Sequence, residues 1–119
     1  MQASAEDYLE AILQLSKDGH AVRSVDVAAE LGFPRASVSI AMKKLREAGL
    51  ISVNEDGGIL LTQGGTVLAK RVLERHNFLR GWLCALGVPE KTAAQDACRM
   101  EHILSEESFE AIQKSVKIR

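Results

Sequence analysis

The sequence predicts a mostly α-helical protein that begins with a winged helix-turn-helix and continues as an all-helical part. Three observations predict this fold class: two short helical segments separated by a few residues, a change to period-two hydrophobicity after them, and a return to helical periodicity. The chain has 119 residues, of which 46% are hydrophobic, enough for one domain or two small modules that share a core. We place the boundary so that residues 1–63 form the first part and residues 64–119 the second.

The first three helices are predicted from apolar periodicity bounded by capping residues. The segment SAEDYLEAILQLSKDG has apolar residues at helical spacing, with Ser4 as a candidate N-cap and Gly19 as the stop. The segment SVDVAAELGFPRASVSIAMKKLREAGL divides into two short helices, the first capped by Ser24 and ending near Gly32, the second starting near Arg35. Their connection is only a few residues long, which is the spacing of a helix-turn-helix.

Two short strands are predicted next. The segment ISVNEDGGILLT has two apolar runs around Asp56-Gly57-Gly58, residues that tolerate the positive φ angles of a hairpin turn. A hairpin that follows a helix-turn-helix completes a winged helix. We expect the acidic residues Glu55 and Asp56 to make this wing a poor binder of phosphate.

Three further helices are predicted after the hairpin. The first runs from about residue 66 to residue 86 and is preceded by Gly64-Gly65. The segments PEKTAAQDACRMEHIL and SEESFEAIQKSVK each start another helix, and both Ser105 and Ser108 are candidate caps of the last one. No internal repeat or low-complexity tract interrupts the series.

Positive charge is concentrated on the predicted helix-turn-helix, although the whole chain has a formal net charge of -1. In this motif the second helix enters the major groove of double-stranded DNA, so its early exposed residues meet base edges or phosphates, while later lysines lie nearer the backbone. The alternatives are a face that is merely solvated, or a winged helix that binds another protein. The candidate DNA-binding residues are Arg23, Arg35, Ser37, Ser39, Ile40, Lys43 and Lys44.

The segment DACRMEHILS has three potential metal ligands on one stripe of a predicted helix. Cys98, Glu101 and His102 are spaced i, i+3 and i+4, which brings their side chains together. Sulfur, imidazole and carboxylate together suit a divalent transition ion such as Fe(II), Mn(II), Co(II), Ni(II) or Zn(II), and not calcium or magnesium. The structural alternative is a buried thiol, a surface carboxylate and a histidine hydrogen-bonded within the core.

Other potential ligands occur in two further helices. Asp7 and Glu10 form an i, i+3 pair in the first helix, and His76 lies in the middle of the long helix. Convergence of three helices would weaken the structural explanation. A metal site can also polarise water for catalysis, but the sequence contains no nucleophile elbow and no phosphate-cradling glycine loop, so we expect no enzymatic activity.

Cysteine usage and hydropathy predict the compartment. Two cysteines, Cys84 and Cys98, without a signal peptide fit a reducing cytoplasm better than a disulfide scaffold. No apolar run approaches the roughly 18 residues that a membrane span requires. We therefore expect a cytoplasmic protein without a membrane partner.

Four segments together resemble the DtxR/MntR family of metal-dependent transcriptional repressors. They are EDYLEAILQL, DVAAELGFPRASVSIAMKKLREAGLI, LTQGGTVLAKRVLERHNFLRGWL and DACRMEHILS, in the order and spacing of that family. The resemblance implies a winged-helix domain followed by a helical dimerisation domain, with a metal between them and a metal-loaded homodimer that binds operator DNA. It implies a dimer formed by the helices alone, because the SH3-like domain of longer members has no counterpart here.

The ligand set that the resemblance implies is a hybrid of two branches of the family. In the manganese branch a glutamate stands in place of Cys98, while in the iron branch a methionine stands in place of Asp7. The iron branch has an ancillary metal site that uses the position of His76 and two further ligands. At those two positions this chain has Arg80 and Ala94 instead of metal ligands, so we expect His76 to join Asp7 and Glu10. The expected metal is Fe(II) or Mn(II), with Zn(II), Co(II) or Ni(II) as alternatives. The implied ligands are Asp7, Glu10, His76, Cys98, Glu101 and His102.

Overall fold

A computed structural model describes residues 5–17, 19 and 21–117. It confirms the predicted fold class, since the described chain is mostly helical with one small two-stranded sheet. The chain divides into two compact units, Met1–Arg71 and Val72–Arg119. The predicted cap Ser4 lies outside the described residues. In chain order the elements are α1 (Ala5–Leu15), α2 (Ser24–Leu31), α3 (Arg35–Glu47), β1 (Ile51–Val53), β2 (Ile59–Leu61), α4 (Gln63–Ala85), α5 (Glu90–Ile103) and α6 (Glu106–Lys117).

Helices α2 and α3 form the helix-turn-helix, and local sequence explains both ends of α2. The predicted cap Ser24 is wrong by one position: Arg23 is the N-cap, with extended backbone, and its N–H donates to Asp26 Oδ2 at 2.9 Å. Asp26 thus satisfies a backbone donor just before the helix and places a negative charge in its first turn. Gly32 ends α2 with φ 72°, a left-handed conformation that glycine adopts without steric cost, and its N–H donates to Ala28 O at 2.8 Å.

The core of the first unit collects one face of each helix and one face of the hairpin. On α3 the buried residues Val38, Met42 and Leu45 are spaced i, i+4 and i+7, which places them on one side of the helix. Each fully buried aliphatic side chain of this kind contributes about 1.5–3 kcal/mol. The opposite side of α3 is therefore left to solvent. Other buried core residues are Leu9, Ile12, Val22, Val27, Ile51, Ile59 and Ala69.

The wing is the antiparallel hairpin of β1 and β2, as predicted. Ile51 pairs with Leu61 and Val53 with Ile59. The turn between the strands is held by the side chain of Asn54, whose Oδ1 accepts the N–H of Asp56 at 3.1 Å and of Gly58 at 2.8 Å. The hairpin prediction is confirmed because the Asp-Gly-Gly stretch forms this turn, with positive φ at its central glycine.

The start of α4 differs from the prediction. The helix begins at Gln63, so Gly64 and Gly65 lie in its first turn and do not precede it. A Cβ on Gly65 would lie 1.9 Å from the backbone oxygen of Leu50, whereas one on Gly64 would meet no atom nearer than 3.9 Å. Glycine is required at residue 65 because the helix passes directly over the backbone before β1.

Gly65→Ala should therefore destabilise the protein by about 1–3 kcal/mol, the usual cost of inserting a methyl group into a filled space. Gly64→Ala is the matched control and should leave stability unchanged or slightly higher, because alanine favours a helix over glycine. Urea unfolding of the two variants measures the difference. Equal stabilities would show that the chain around residue 65 moves apart without cost.

The second unit has a small core of its own. Leu79 of α4, Ala97 of α5 and Phe109 of α6 are buried together. Phe78 meets Phe109 edge to face, with ring centroids 5.5 Å apart. Ser105 Oγ accepts the N–H of Ser108 at 3.1 Å, so Ser105 is the cap of α6 among the two predicted candidates.

No helix in the described ranges is long and apolar enough to cross a membrane.

Candidate functional site

The last two turns of α5 bring three of the predicted metal ligands together. The candidate ligand atoms of Cys98, Glu101 and His102 lie within 4.8 Å of one another. Cys98 is exposed, His102 is half-buried and Glu101 is buried. The cluster is therefore open to solvent at its sulfur and closed around its carboxylate.

The carboxylate of Glu101 lies between two imidazoles. Its Oε2 is 3.4 Å from His76 Nδ1 and its Oε1 is 3.4 Å from His102 Nε2, while its side chain is only 1% exposed. Neither oxygen accepts a hydrogen bond of normal geometry from any residue that the structure describes. A buried carboxylate needs a positive partner to offset its lost hydration, and in proteins that partner is a cationic side chain or a metal ion.

The burial pattern contradicts the structural explanation of the stripe. That explanation requires a buried thiol at Cys98 and a surface carboxylate at Glu101, and the structure has the reverse. An exposed thiol beside a buried carboxylate suits a centre in which the sulfur faces an entry path and the carboxylate faces protein.

The donor set in the second unit fits a divalent transition ion. One sulfur, two imidazoles and one carboxylate occur on α4 and α5, in residues His76, Cys98, Glu101 and His102. Imidazole and thiolate favour the first-row transition metals, and the carboxylate extends the range toward Mn(II). The buried oxygens of Glu101 supply an independent observation that agrees with this chemistry.

The remaining predicted ligands belong to the first unit. Asp7 and Glu10 are three residues apart on α1 and both are half-buried. Their spacing places the two carboxylates on one face of that helix, as the sequence predicts. Buried neighbours Tyr8 and Leu9 join the core of the same unit.

The predicted DNA-facing residues of α3 are all on its solvent side. Val38, Met42 and Leu45 occupy the core side of the helix. Ile40 is 58% exposed, which is unusual for a large aliphatic residue and suits apolar contact with a thymine methyl group in the major groove. The exposed residues of this face are Arg35, Ser37, Ser39, Ile40, Lys43 and Lys44.

Arg23 contacts the wing, which the sequence did not predict. Its guanidinium Nη1 donates to the backbone oxygen of Asp56 at the wing tip. A Cβ on Gly57 would lie 3.3 Å from the same Nη1, so the glycine gives the guanidinium room. Arg23 therefore joins the start of α2 to the hairpin turn, and its exposed side chain also leaves it available to a phosphate.

Comparison with known proteins assigns both parts of the chain to one family. Residues 1–59 match the family described as "Iron dependent repressor, N-terminal DNA binding domain". Residues 62–117 match "Iron dependent repressor, metal binding and dimerisation domain". The two matches together cover nearly the whole chain.

Individual relatives support the same family assignment. The transcriptional regulator MntR of Escherichia coli O6:H1 is 39% identical over 106 residues, which are 89% of this chain and 68% of that protein. An uncharacterised HTH-type transcriptional regulator of Methanocaldococcus jannaschii is 35% identical over 114 residues, 94% of this chain and 91% of that protein. The solved structure of the manganese regulator SloR superposes with a TM-score of 0.88 at 26% identity, and the match covers 100% of this chain and 56% of SloR. The chain thus spans about half the length of that solved relative.

Proposed function

This chain belongs to the iron-dependent repressor family of metal-dependent transcriptional regulators, and we propose that it senses Fe(II) or Mn(II) and represses metal-homeostasis genes. The observation that most supports a sensing role is the buried carboxylate of Glu101 between His76 and His102. A carboxylate that is buried between two imidazoles, with a thiol nearby, is a set of donors that a divalent transition ion could bind. The family is one of regulators, in agreement with the expectation that the protein is not an enzyme.

The proposed ligands come from both units. His76, Cys98, Glu101 and His102 are supported by the geometry and burial within the second unit. Asp7 and Glu10 are supported by their position in the sequence pattern and by their half-buried place on α1. The set mixes a thiolate with three carboxylates, so Fe(II) and Mn(II) are the favoured ions, and Zn(II), Co(II) and Ni(II) are competitors.

Regulation follows from the division of these ligands between two units. Asp7 and Glu10 are part of the unit that contains the helix-turn-helix, whereas Glu101 is part of the other unit. When bound, a divalent ion would supply positive charge that the carboxylates of both units share. If one ion bound the ligands of both units, as the resemblance implies, its loss would leave their carboxylates to repel one another and would favour arrangements that separate them. A difference in metal affinity between arrangements shifts their populations, and by linkage DNA must tighten metal binding equally.

DNA recognition is assigned to α3 and its flanks. We assign contacts to base edges or phosphates to Arg35, Ser37, Ser39 and Ile40, whose side chains are exposed, and contacts to the DNA backbone to Lys43 and Lys44. Arg23 is assigned to the backbone as well, at the start of α2. A two-fold homodimer presents two such helices, so the proposed site is a pseudo-palindrome in double-stranded DNA. We place the protein in the cytoplasm, where the chromosome is.

Selection from a pool of random double-stranded DNA tests this function. Protein loaded with Mn(II) should enrich a pseudo-palindromic sequence, and protein in excess chelator should enrich none. Enrichment that is equal in chelator would support the second candidate, a winged-helix module whose DNA binding needs no metal. Failure to bind any DNA with metal present would favour a protein-interaction module.

The double variant Lys43→Ala/Lys44→Ala should weaken binding to the enriched DNA and to random DNA alike. Each lost phosphate contact removes close to one released counterion, and a homodimer loses two contacts in each protomer, so the slope of log affinity against log salt should fall in magnitude by about 4. Lys91→Ala/Lys114→Ala is the matched control, because both lysines are exposed and lie on other helices. An unchanged slope in the α3 variant would exclude these lysines from the DNA face.

A further inference from the structure

The side chain of Arg75 reaches from α4 to the end of α5. Its Nη2 donates to the backbone oxygen of Leu104 at 2.8 Å. Leu104 is the C-cap of α5 and follows the helical turn that contains Glu101 and His102. Arg75 also immediately precedes His76, whose imidazole lies 3.4 Å from Glu101. Neighbouring residues of α4 thus contact the carboxylate and the backbone of the same turn.

The guanidinium is held on a second side by α6. Its central carbon is 4.8 Å from the ring centroid of Phe109, within range of a cation–π contact. Phe109 is itself buried against Phe78. A cation at the C-terminus of a helix is favoured by the helix dipole and satisfies carbonyls that have no partner within the helix.

The last turn of a helix is the part that frays, and α5 has two proposed ligands in it. Metal ligands must be held to within about half an ångström of their binding geometry by groups around them. Arg75 ties this turn to the helix on which the third ligand, His76, is located. The contact joins the backbone after Ile103 to both α4 and α6.

We propose that Arg75 is a positioning residue of the metal centre, which fixes the last turn of α5 so that Glu101 and His102 are held in place for metal binding. The proposal rests on the proposed function, because it assumes that those residues are ligands. Arg75 is not itself a ligand in this proposal. Arg75 lowers the entropic cost of ordering the ligands. Loss of Arg75 should therefore weaken the affinity for a metal ion.

Matched variants separate this role from the general effect of losing an arginine. Arg75→Met keeps most of the apolar stem and loses the donors and the charge, whereas Arg75→Lys keeps the charge and one group that can donate to Leu104. Arg80→Met is the control on the same helix: its Nη1 is 3.7 Å from Glu90 Oε1 at the opposite end of α5, and both side chains are exposed.

Binding of Co(II) alone is the measurement, since the absorption band of a thiolate–Co(II) pair reports ligation by Cys98. The Kd of Arg75→Met should rise by about 10- to 100-fold and its band should change, in line with other residues that support metal ligands. Arg75→Lys should lie between wild type and Arg75→Met, and Arg80→Met should stay within about twofold of wild type. Thermal unfolding of each metal-free protein is measured in parallel.

A role in stability alone gives a different result. Arg75→Met would then unfold at a lower temperature in the metal-free state but bind Co(II) with the wild-type Kd and band, and that outcome overturns the proposal. Should Arg75→Met not fold, Arg75→Gln is read in the same way: a Kd raised about tenfold supports the proposal and a wild-type Kd overturns it. Wild-type protein that binds no Co(II) would overturn the metal centre itself, and the positioning role with it.

Discussion

Glu101→Gln should reduce the affinity for Mn(II) on the order of 100-fold or more, because it removes the buried anionic ligand between two imidazoles. Glutamine has nearly the same shape, so the packing of α4 against α5 should survive. In the metal-free protein the variant should be as stable as wild type or more stable, since it no longer buries a carboxylate that lacks a hydrogen bond. Isothermal titration with Mn(II) and urea unfolding in chelator measure the two effects.

The opposite sign of the stability change would contradict a metal role for Glu101. If the carboxylate exists to pair with protonated His76 and His102, Glu101→Gln breaks a buried ion pair and should cost about 3–5 kcal/mol. Any fall in metal affinity would then be a consequence of the unfolding of the variant. Glu110→Gln on α6 is the control, because this carboxylate is exposed and should affect neither measurement.

Cys98→Glu should shift metal selectivity toward Mn(II). A carboxylate suits that harder ion and a thiolate favours softer competitors, so the ratio of Mn(II) to Zn(II) affinity should rise on the order of tenfold. The exposed position of Cys98 leaves space for the longer side chain, so stability should change little. The resemblance to the manganese branch predicts the same result, because glutamate stands at this position there.

Cys84→Ala is the control for thiol loss, since Cys84 is also exposed but lies at the end of α4 away from the stripe. It should leave both affinities unchanged. Competition between Mn(II) and Zn(II) under anaerobic, reducing conditions gives the ratio for each variant. A selectivity for Cys98→Glu equal to that of wild type would mean that residue 98 does not bind the metal.

Local patterns predicted most of the fold because the elements are defined by local chemistry. The Asp56-Gly57 turn, the left-handed Gly32 and the cap Ser105 all act within a few residues of themselves. The position of Gly65 could not be predicted in this way. Its place inside α4 follows from contact with the backbone of Leu50, fifteen residues earlier and in another element.

The candidate site also combines features that local sequence determines with features that depend on packing between elements. Cys98, Glu101 and His102 could be predicted as a cluster because one helix fixes their spacing. The contact of Glu101 with His76 depends on the packing of two helices. The sequence did not predict it, because the resemblance led us to expect His76 beside Asp7 and Glu10. Two arginine contacts had no sequence pattern at all: Arg23 to the wing and Arg75 to the end of α5 span 33 and 29 residues.

We expect metal ligation in this chain to control DNA binding. The most direct test is the affinity for the selected double-stranded DNA, measured anaerobically while the free concentration of Mn(II), Fe(II) or Zn(II) is varied. We predict that affinity rises with occupancy of the metal centre, by about 5- to 150-fold for coupling of ordinary strength, and that Asp7→Ala loses this rise even where metal still binds the second unit. An affinity that is the same in excess chelator and in saturating metal would show that metal ligation does not control DNA binding.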